Sequence, residues 1–280
     1  MNFDDALPWW QALTPRQIGQ LAADDAVAVL PLAAIEQHGE HLPLSTDLDI
    51  ALGLLCAARS CLRANLAWCV LPPLCVGLSL EHTAFPGTLS LTPETALASV
   101  VELGESVRRA GIRRLVLFNS HGGNSAIVDL AALKLRADRR MLVVRANYLR
   151  FAPPPEAIPA AELRHGIHGG ALETAMMLHL APHKVRKEAL ANFHSLGEDL
   201  EMAGRVLRPG GQAGFGWMAQ DLNPAGVVGN ATLADATLAD ATLGARLVDH
   251  FAATLARVIE EAADFDLSAL AEHPPRWEPC

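Results

Sequence analysis

The chain has 280 residues, 51% hydrophobic and 19% charged, a composition that allows a sizeable core and excludes intrinsic disorder. Its 22 basic against 31 acidic residues give a net charge of −9 with no clustered Lys/Arg run, so neither nucleic acid nor an anionic membrane surface is an expected partner. The start, MNFDDALPWWQ, has no apolar h-region, and no run approaches the roughly 20 residues that span a bilayer, so a soluble, cytoplasmic setting is expected.

Short apolar runs alternate with helical stretches along the chain. Thr14-Pro15-Arg16-Gln17 carries the signature of a capping box with Pro at the first helical position. AVAVLPL (26–32) reads as a strand buried on both faces and leads directly into EQHGEHLPLSTDLDI. Helical periodicity starts at Asp47, WCVLPPL (68–74) is a second strand, and Thr92-Pro93-Glu94 caps another helix. RRLVLFN (113–119) and RMLVVRAN (140–147) complete four strands around the helical NSAIVDLAALKLRADRR. This alternation predicts an α/β domain with a mainly parallel sheet, and the absence of a clean linker predicts a single domain over 1–280.

The segments 150–165 and 209–226 read as long loops, and long loops in compact domains often serve as lids or binding segments. ATLADATLADATL (231–243) is a tandem five-residue repeat, read as a duplication that lengthens a loop or helix start, and 243–265 as one amphipathic helix. Of the five cysteines (Cys56, Cys61, Cys69, Cys75, Cys280) none form a C-x-x-C pair. Four sit among Leu, Ala, Val and Pro and read as small buried hydrophobes rather than a zinc or disulfide framework.

Three clusters carry chemistry. Glu36 and His38 are two apart, so in extended backbone both face one point, and Asp47 at the following helix start can return to it. A solvated loop with Asp47 as an N-cap would explain the charge but not its placement at a strand exit. LVLFNSHGGN puts Asn119, Ser120 and His121 at the exit of another buried strand, and open α/β sheets bind ligands at that end. There is no G-x-S-x-G elbow to support Ser120 as a nucleophile. In HGIHGGALETAMM, His168 precedes two glycines and Glu173 falls in the first turn of a helix, where it could equally serve the dipole. Grouped together, Glu36, Asp47 and Glu173 would repel one another and be driven toward protonation unless cations join them. Two divalent ions and a bridging hydroxide, with neutral His38 and His121, bring the set near neutrality, and mixed N/O ligation suits Zn²⁺, Mn²⁺ or Fe²⁺.

With "AVLPLAAIEQHGEHLPLSTD", "GLSLEHTAFPGTLSL", "FNSHGGN" and "HGGALETAMMLHLAP" in this order, the sequence resembles the creatininase (creatinine amidohydrolase) family. The resemblance implies a three-layer α/β/α fold, a dinuclear metal centre, hydrolysis of a non-peptide, often cyclic, C–N amide bond in a small-molecule substrate, and a homo-oligomer, commonly a hexamer. It also implies Glu36, His38, Asp47, His121 and Glu173 as metal ligands, with Asp47 bridging, and His168 as general acid/base. Ser79, Glu81 and His82 match the substrate-side block, and Trp217 is assigned a substrate contact. Gly123 stands where creatininase proper carries a ligand Glu, which leaves Glu173 as the expected fifth ligand. Formamide deformylases and peptide-processing hydrolases belong to the same family. A binding protein that keeps the fold without turnover, and a metal-independent Ser or Cys amidase, are the readings from outside it.

Overall fold

The computed structural model describes residues 7–235, 237–238 and 241–270. The four apolar runs form β1 (Val27–Leu32), β2 (Trp68–Val70), β3 (Arg114–Asn119) and β4 (Leu142–Asn147), all parallel, in the order β2-β1-β3-β4. Every residue of β1 and β3 is buried, whereas β4, at one edge, is mostly half-buried. Two boundaries depart from the sequence expectation. β2 stops at Val70 because Pro72 and Pro73 have no amide to offer a ladder. β4 starts at Leu142 because Arg140 takes a left-handed turn (φ 55°) that ends the preceding helix.

Pro31 lies in a central strand, a position proline normally avoids. Leu71 and Leu74 donate to the carbonyls of Val29 and Pro31 (2.8 and 3.0 Å), so residues 29 and 31 present their polar groups to the β2 side. The missing amide of Pro31 therefore faces the side where β2 has already ended, and no ladder bond is lost.

Helices cover both faces of the sheet. In chain order they are α1 (Pro15–Ala23), α2 (Thr46–Arg59), α3 (Pro93–Arg109), α4 (Ser125–Arg139), α5 (Ala160–His165), α6 (Ala171–Leu180), α7 (Leu196–Met202), α8 (Ala219–Leu222) and α9 (Leu243–Asp264). The period-two alternation of the strands decides what each face buries. Ala28, Leu30, Leu115 and Leu117 join the core under α3 and α4, while Val27, Val29, Val116 and Phe118 join the core under α2, α6 and α9. The result is a three-layer α/β/α sandwich with a parallel sheet. α9 packs on both α2 and α6, and Gly244 permits its close approach, since a Cβ there would collide with the Ala175 carbonyl of α6.

The stretch 150–165 is not wholly a loop, because α5 forms after Pro159, and within 209–226 only α8 is helical. The repeat region (231–243) begins as a 3-10 turn at Ala231–Asp235 and runs into the start of α9, which the Thr242 side chain caps; residues 236, 239 and 240 lie outside the described set. Cys69 is buried and Cys56 and Cys75 are half-buried, but Cys61 is exposed just beyond the end of α2, against expectation; Cys280 lies outside the described residues.

Candidate metal centre

Parallel strands deliver their exits to one rim, and the polar clusters meet there. Glu36 and His38 follow β1, His121 follows β3 and Tyr148 follows β4. Asp47 and Glu173 arrive from the first turns of α2 and α6. All six are buried: Glu36 and His38 are 0% exposed, Asp47 1%, His121 4% and Glu173 6%.

The two oxygens of Asp47 face different partners. Oδ2 lies 3.4 Å from His121 Nδ1, which is also 3.2 Å from Glu36 Oε1. Oδ1 lies 3.5 Å from His38 Nε2, which is 3.9 Å from Glu173 Oε2. Glu36–Asp47–His121 and His38–Asp47–Glu173 are therefore two triads of cation-holding groups that share Asp47, and Glu36–His38–His168 is a third combination.

Hydrogen bonds fix the imidazole tautomers. His38 Nδ1–H donates to the Glu36 carbonyl (3.1 Å), and His121 Nε2–H donates to the Leu78 carbonyl (2.8 Å). Each ring then turns its other nitrogen toward carboxylate oxygens, the usual way a protein orients metal-binding histidines. Both Glu36 oxygens, Asp47 Oδ2 and His38 Nε2 are buried without a hydrogen-bond partner. Buried polar atoms are almost always satisfied, so this concentration of orphans fits a pair of cations.

The electrostatics agree. Burial alone would push His38 and His121 down, but Asp47 raises His38 to about 9, and Glu36, with Asp47 and Glu81, raises His121 to about 10. Burial and repulsion from Glu36 lift Asp47 to about 6, while His121 and its neighbours overcome burial to hold Glu36 below the usual carboxylate range. Positive charge is what this cluster demands, from protons or from metals.

Several supporting groups escape any local pattern. Glu173 is oriented by the Gly169 amide (2.7 Å) and the Tyr148 hydroxyl (3.4 Å), whose own proton is retained because burial and Glu173 push the phenol well up. Gln37 donates to His82 Nδ1 (2.8 Å) and the Gly226 carbonyl (2.6 Å), and its own carbonyl accepts from His168 Nε2–H (2.8 Å). Glu162 accepts from the amides of Ala171 and Asn230 (both 2.8 Å), tying the start of α6 to the two-residue strand Gly229–Asn230. Contacts that span dozens of residues leave no mark on local periodicity; only the adjacency of Gln37 to Glu36 and His38 hinted at any of them.

The proposed acid/base His168 stacks on His82 at 4.1 Å and lies 4.2 Å from the His38 ring, with Nδ1 3.7 Å from Glu36 Oε1. Burial and the charge on His38 lower it to about 4, and burial and His168 lower His82 to about 2, so both are neutral at pH 7. Glu81, His82 and Trp217 line a cavity of about 430 Å³ together with His121, Tyr148 and Glu173. Ser79 does not reach it: fully buried, it sits 3.3 Å from His121 Nε2. A side chain at Gly123 would collide with the Leu78 carbonyl, and its Cβ would lie 2.5 Å from His121 Nε2 and 2.6 Å from Glu81 Oε1. Ser120 is buried on the Leu32 carbonyl (3.2 Å), a poor setting for a nucleophile. Of the remaining acids and imidazoles of the first cluster, Asp49 pairs with Lys184 (2.7 Å), Glu40 with Arg186 (3.1 Å), and His41 Nε2–H donates to the Gly169 carbonyl (2.8 Å).

Most of the chain is similar to known proteins. The family model Creatininase (creatinine amidohydrolase) matches residues 11–259. A mycofactocin precursor peptide peptidase of Mycobacterium ulcerans is 32% identical over 236 residues, 82% of this chain and 84% of its own. A creatinine amidohydrolase of Pseudomonas putida is 34% identical over 181 residues, 58% of this chain and 67% of its own. A crystal structure of creatinine amidohydrolase superposes with a TM-score of 0.70 at 25% identity, covering 93% of this chain and 99% of that one; other matching creatininase structures include a zinc–zinc and a manganese form. The chain belongs to the creatininase family and is a hydrolase of carbon–nitrogen bonds.

Proposed function

We propose that the protein hydrolyses a non-peptide C–N amide bond, cyclic amides included, in a small molecule, using two divalent cations. Glu36, Asp47 and His121 would hold one ion and His38, Asp47 and Glu173 the other, with zinc or manganese the best fit to mixed N/O donors. The observation that carries this reading is Asp47, one buried carboxylate whose two oxygens serve two separate Glu–His sets. Bound there, the ions supply Lewis acidity that polarises an amide carbonyl and brings the pKa of water from 15.7 to about 7.

The chain's own residues do the rest. The Glu36 and Leu78 carbonyls hold His38 and His121 with their free nitrogens inward. Tyr148 and the Gly169 amide keep Glu173 turned into the site. His168, fixed through Nε2–H on the Gln37 carbonyl, keeps Nδ1 free to take a proton and pass it to the leaving nitrogen. A homo-oligomer completes the proposal, and light scattering on the purified protein tests it. Peptide processing is a second reading, favoured by the 32% identity to a peptide peptidase.

The test is metal analysis joined to an amide-hydrolysis screen. About two ions per chain and chelator-sensitive activity are expected, with both lost in Asp47→Ala. An Asp47→Ala protein that kept both ions and full activity would sink the reading.

A further inference from the structure

The cavity beside the candidate centre has two kinds of wall. Glu81, His121, Glu173 and Tyr148 belong to the centre, and much of the remainder is apolar, notably Phe151, Ile158, Leu163, Ile167, Leu172 and Trp217. Among the described residues no Lys or Arg lines it. The acidic side chains that do are Glu81, Glu173, and Glu162, whose oxygens are held by backbone amides. The nearby cations Arg164 and Arg208 line a separate cavity and both pair with Glu201. An anionic group seated on the apolar wall, away from the centre, would therefore lose water and find no side-chain cation to compensate it.

The apolar wall is also left partly open to solvent. Leu163 is 41% and Ile167 42% exposed, together with Leu149 at 38%, all on this one cavity. A patch of exposed apolar side chains lining a concave site points to a ligand that covers it. At about 430 Å³ the space falls within the roughly 300–1,000 Å³ of sites for drug-sized ligands.

Resting on the amidohydrolase reading, we infer that the non-reacting half of the substrate is a bulky apolar group, aromatic or branched aliphatic, without negative charge, and that Leu163 and Trp217 select it. The selection is by exclusion as much as by attraction: the wall rewards apolar burial, and it offers phosphate, sulfonate or carboxylate substituents no side-chain cation to replace their lost water.

The experiment compares 4-tert-butylphenylacetamide with 4-sulfophenylacetamide, two primary amides whose para groups are tetrahedral and similar in size. Calorimetry on the metal-loaded protein should show the tert-butyl compound binding at least about tenfold more tightly, from the apolar area it buries. Leu163→Arg should narrow or invert that ratio, and Trp217→Ala should weaken the tert-butyl compound while leaving the sulfonate unchanged. Equal affinities, preference for the sulfonate, or no measurable binding of either would overturn the inference. Ammonia release is scored separately. Selective binding without hydrolysis leaves the inference standing and counts against the amidohydrolase reading, whereas hydrolysis of both at equal rates sinks the inference alone.

Discussion

Two kinds of helix start divide the molecule. α1, α3 and α9 begin with Thr14, Thr92 and Thr242, each accepting a hydrogen bond from a first-turn amide, and the first two add proline. α2 and α6 begin at Ser45 and Gly170 with no side-chain cap, and each buries a carboxylate, Asp47 or Glu173, within its first turn. The capped starts serve packing. At the uncapped ones the acid's oxygens are turned across the rim toward histidines from other elements, so the helix N-terminus becomes a mount for a ligand. A carboxylate in the first turn has its charge favoured by the helix dipole in either case; what separates the two uses is where its oxygens go.

The sharpest way to break this comparison is Glu173→Ala. It should remove the ion held with His38 and lower amide hydrolysis about 10³-fold or more, as loss of several kcal/mol of Lewis-acid stabilisation implies; metal content and kcat/KM read it. An effect confined to stability would make Glu173 an ordinary first-turn acid. Tyr148→Phe is next, with metal affinity falling between about 10- and 100-fold, the usual range for a partner that orients a ligand.

The third prediction concerns pH. In the metal-free protein His38 and His121 are raised to about 9 and about 10, so both carry protons at pH 7. Ions need those nitrogens bare, so loading should release close to two protons and metal affinity should climb as pH rises toward 9–10. Calorimetry in buffers of different ionisation enthalpy measures this. The sign for stability follows from the same shifts: the imidazolium–carboxylate contribution is complete below pH 6.5 and fades as pH passes about 9 and then about 10. The smallest effect belongs to the other kind of start. Thr14→Ala should cost about 1 kcal/mol, lowering Tm by about 2–4 °C, with metal content unchanged.

The legible parts of the sequence were those written locally. Four strands, the Thr–Pro starts of α1 and α3 and the strand-exit positions of Glu36, His38 and His121 follow from periodicity, caps and the geometry of parallel sheets. Where neighbours in space are distant in sequence, pattern failed. Gln37 meets His168 across 131 residues, and Glu162 meets Asn230 across 68. Ser79 matched a substrate-side block, yet its side chain is wholly buried beside His121. The prolines misled in both directions: Pro72-Pro73 cut β2 short, and the run at 153–155 hid the helix that follows Pro159.

The contact of α9 with both α2 and α6 also sets an order of events in time. Every candidate ligand precedes α9 in the chain, and α9 is the element that braces the helices bearing Asp47 and Glu173. At roughly 5–20 residues per second of synthesis, the 91 residues from Glu173 to Asp264 take on the order of 5–20 s to emerge. The packing that braces the helices bearing Asp47 and Glu173 is therefore completed only after α9 has been synthesised.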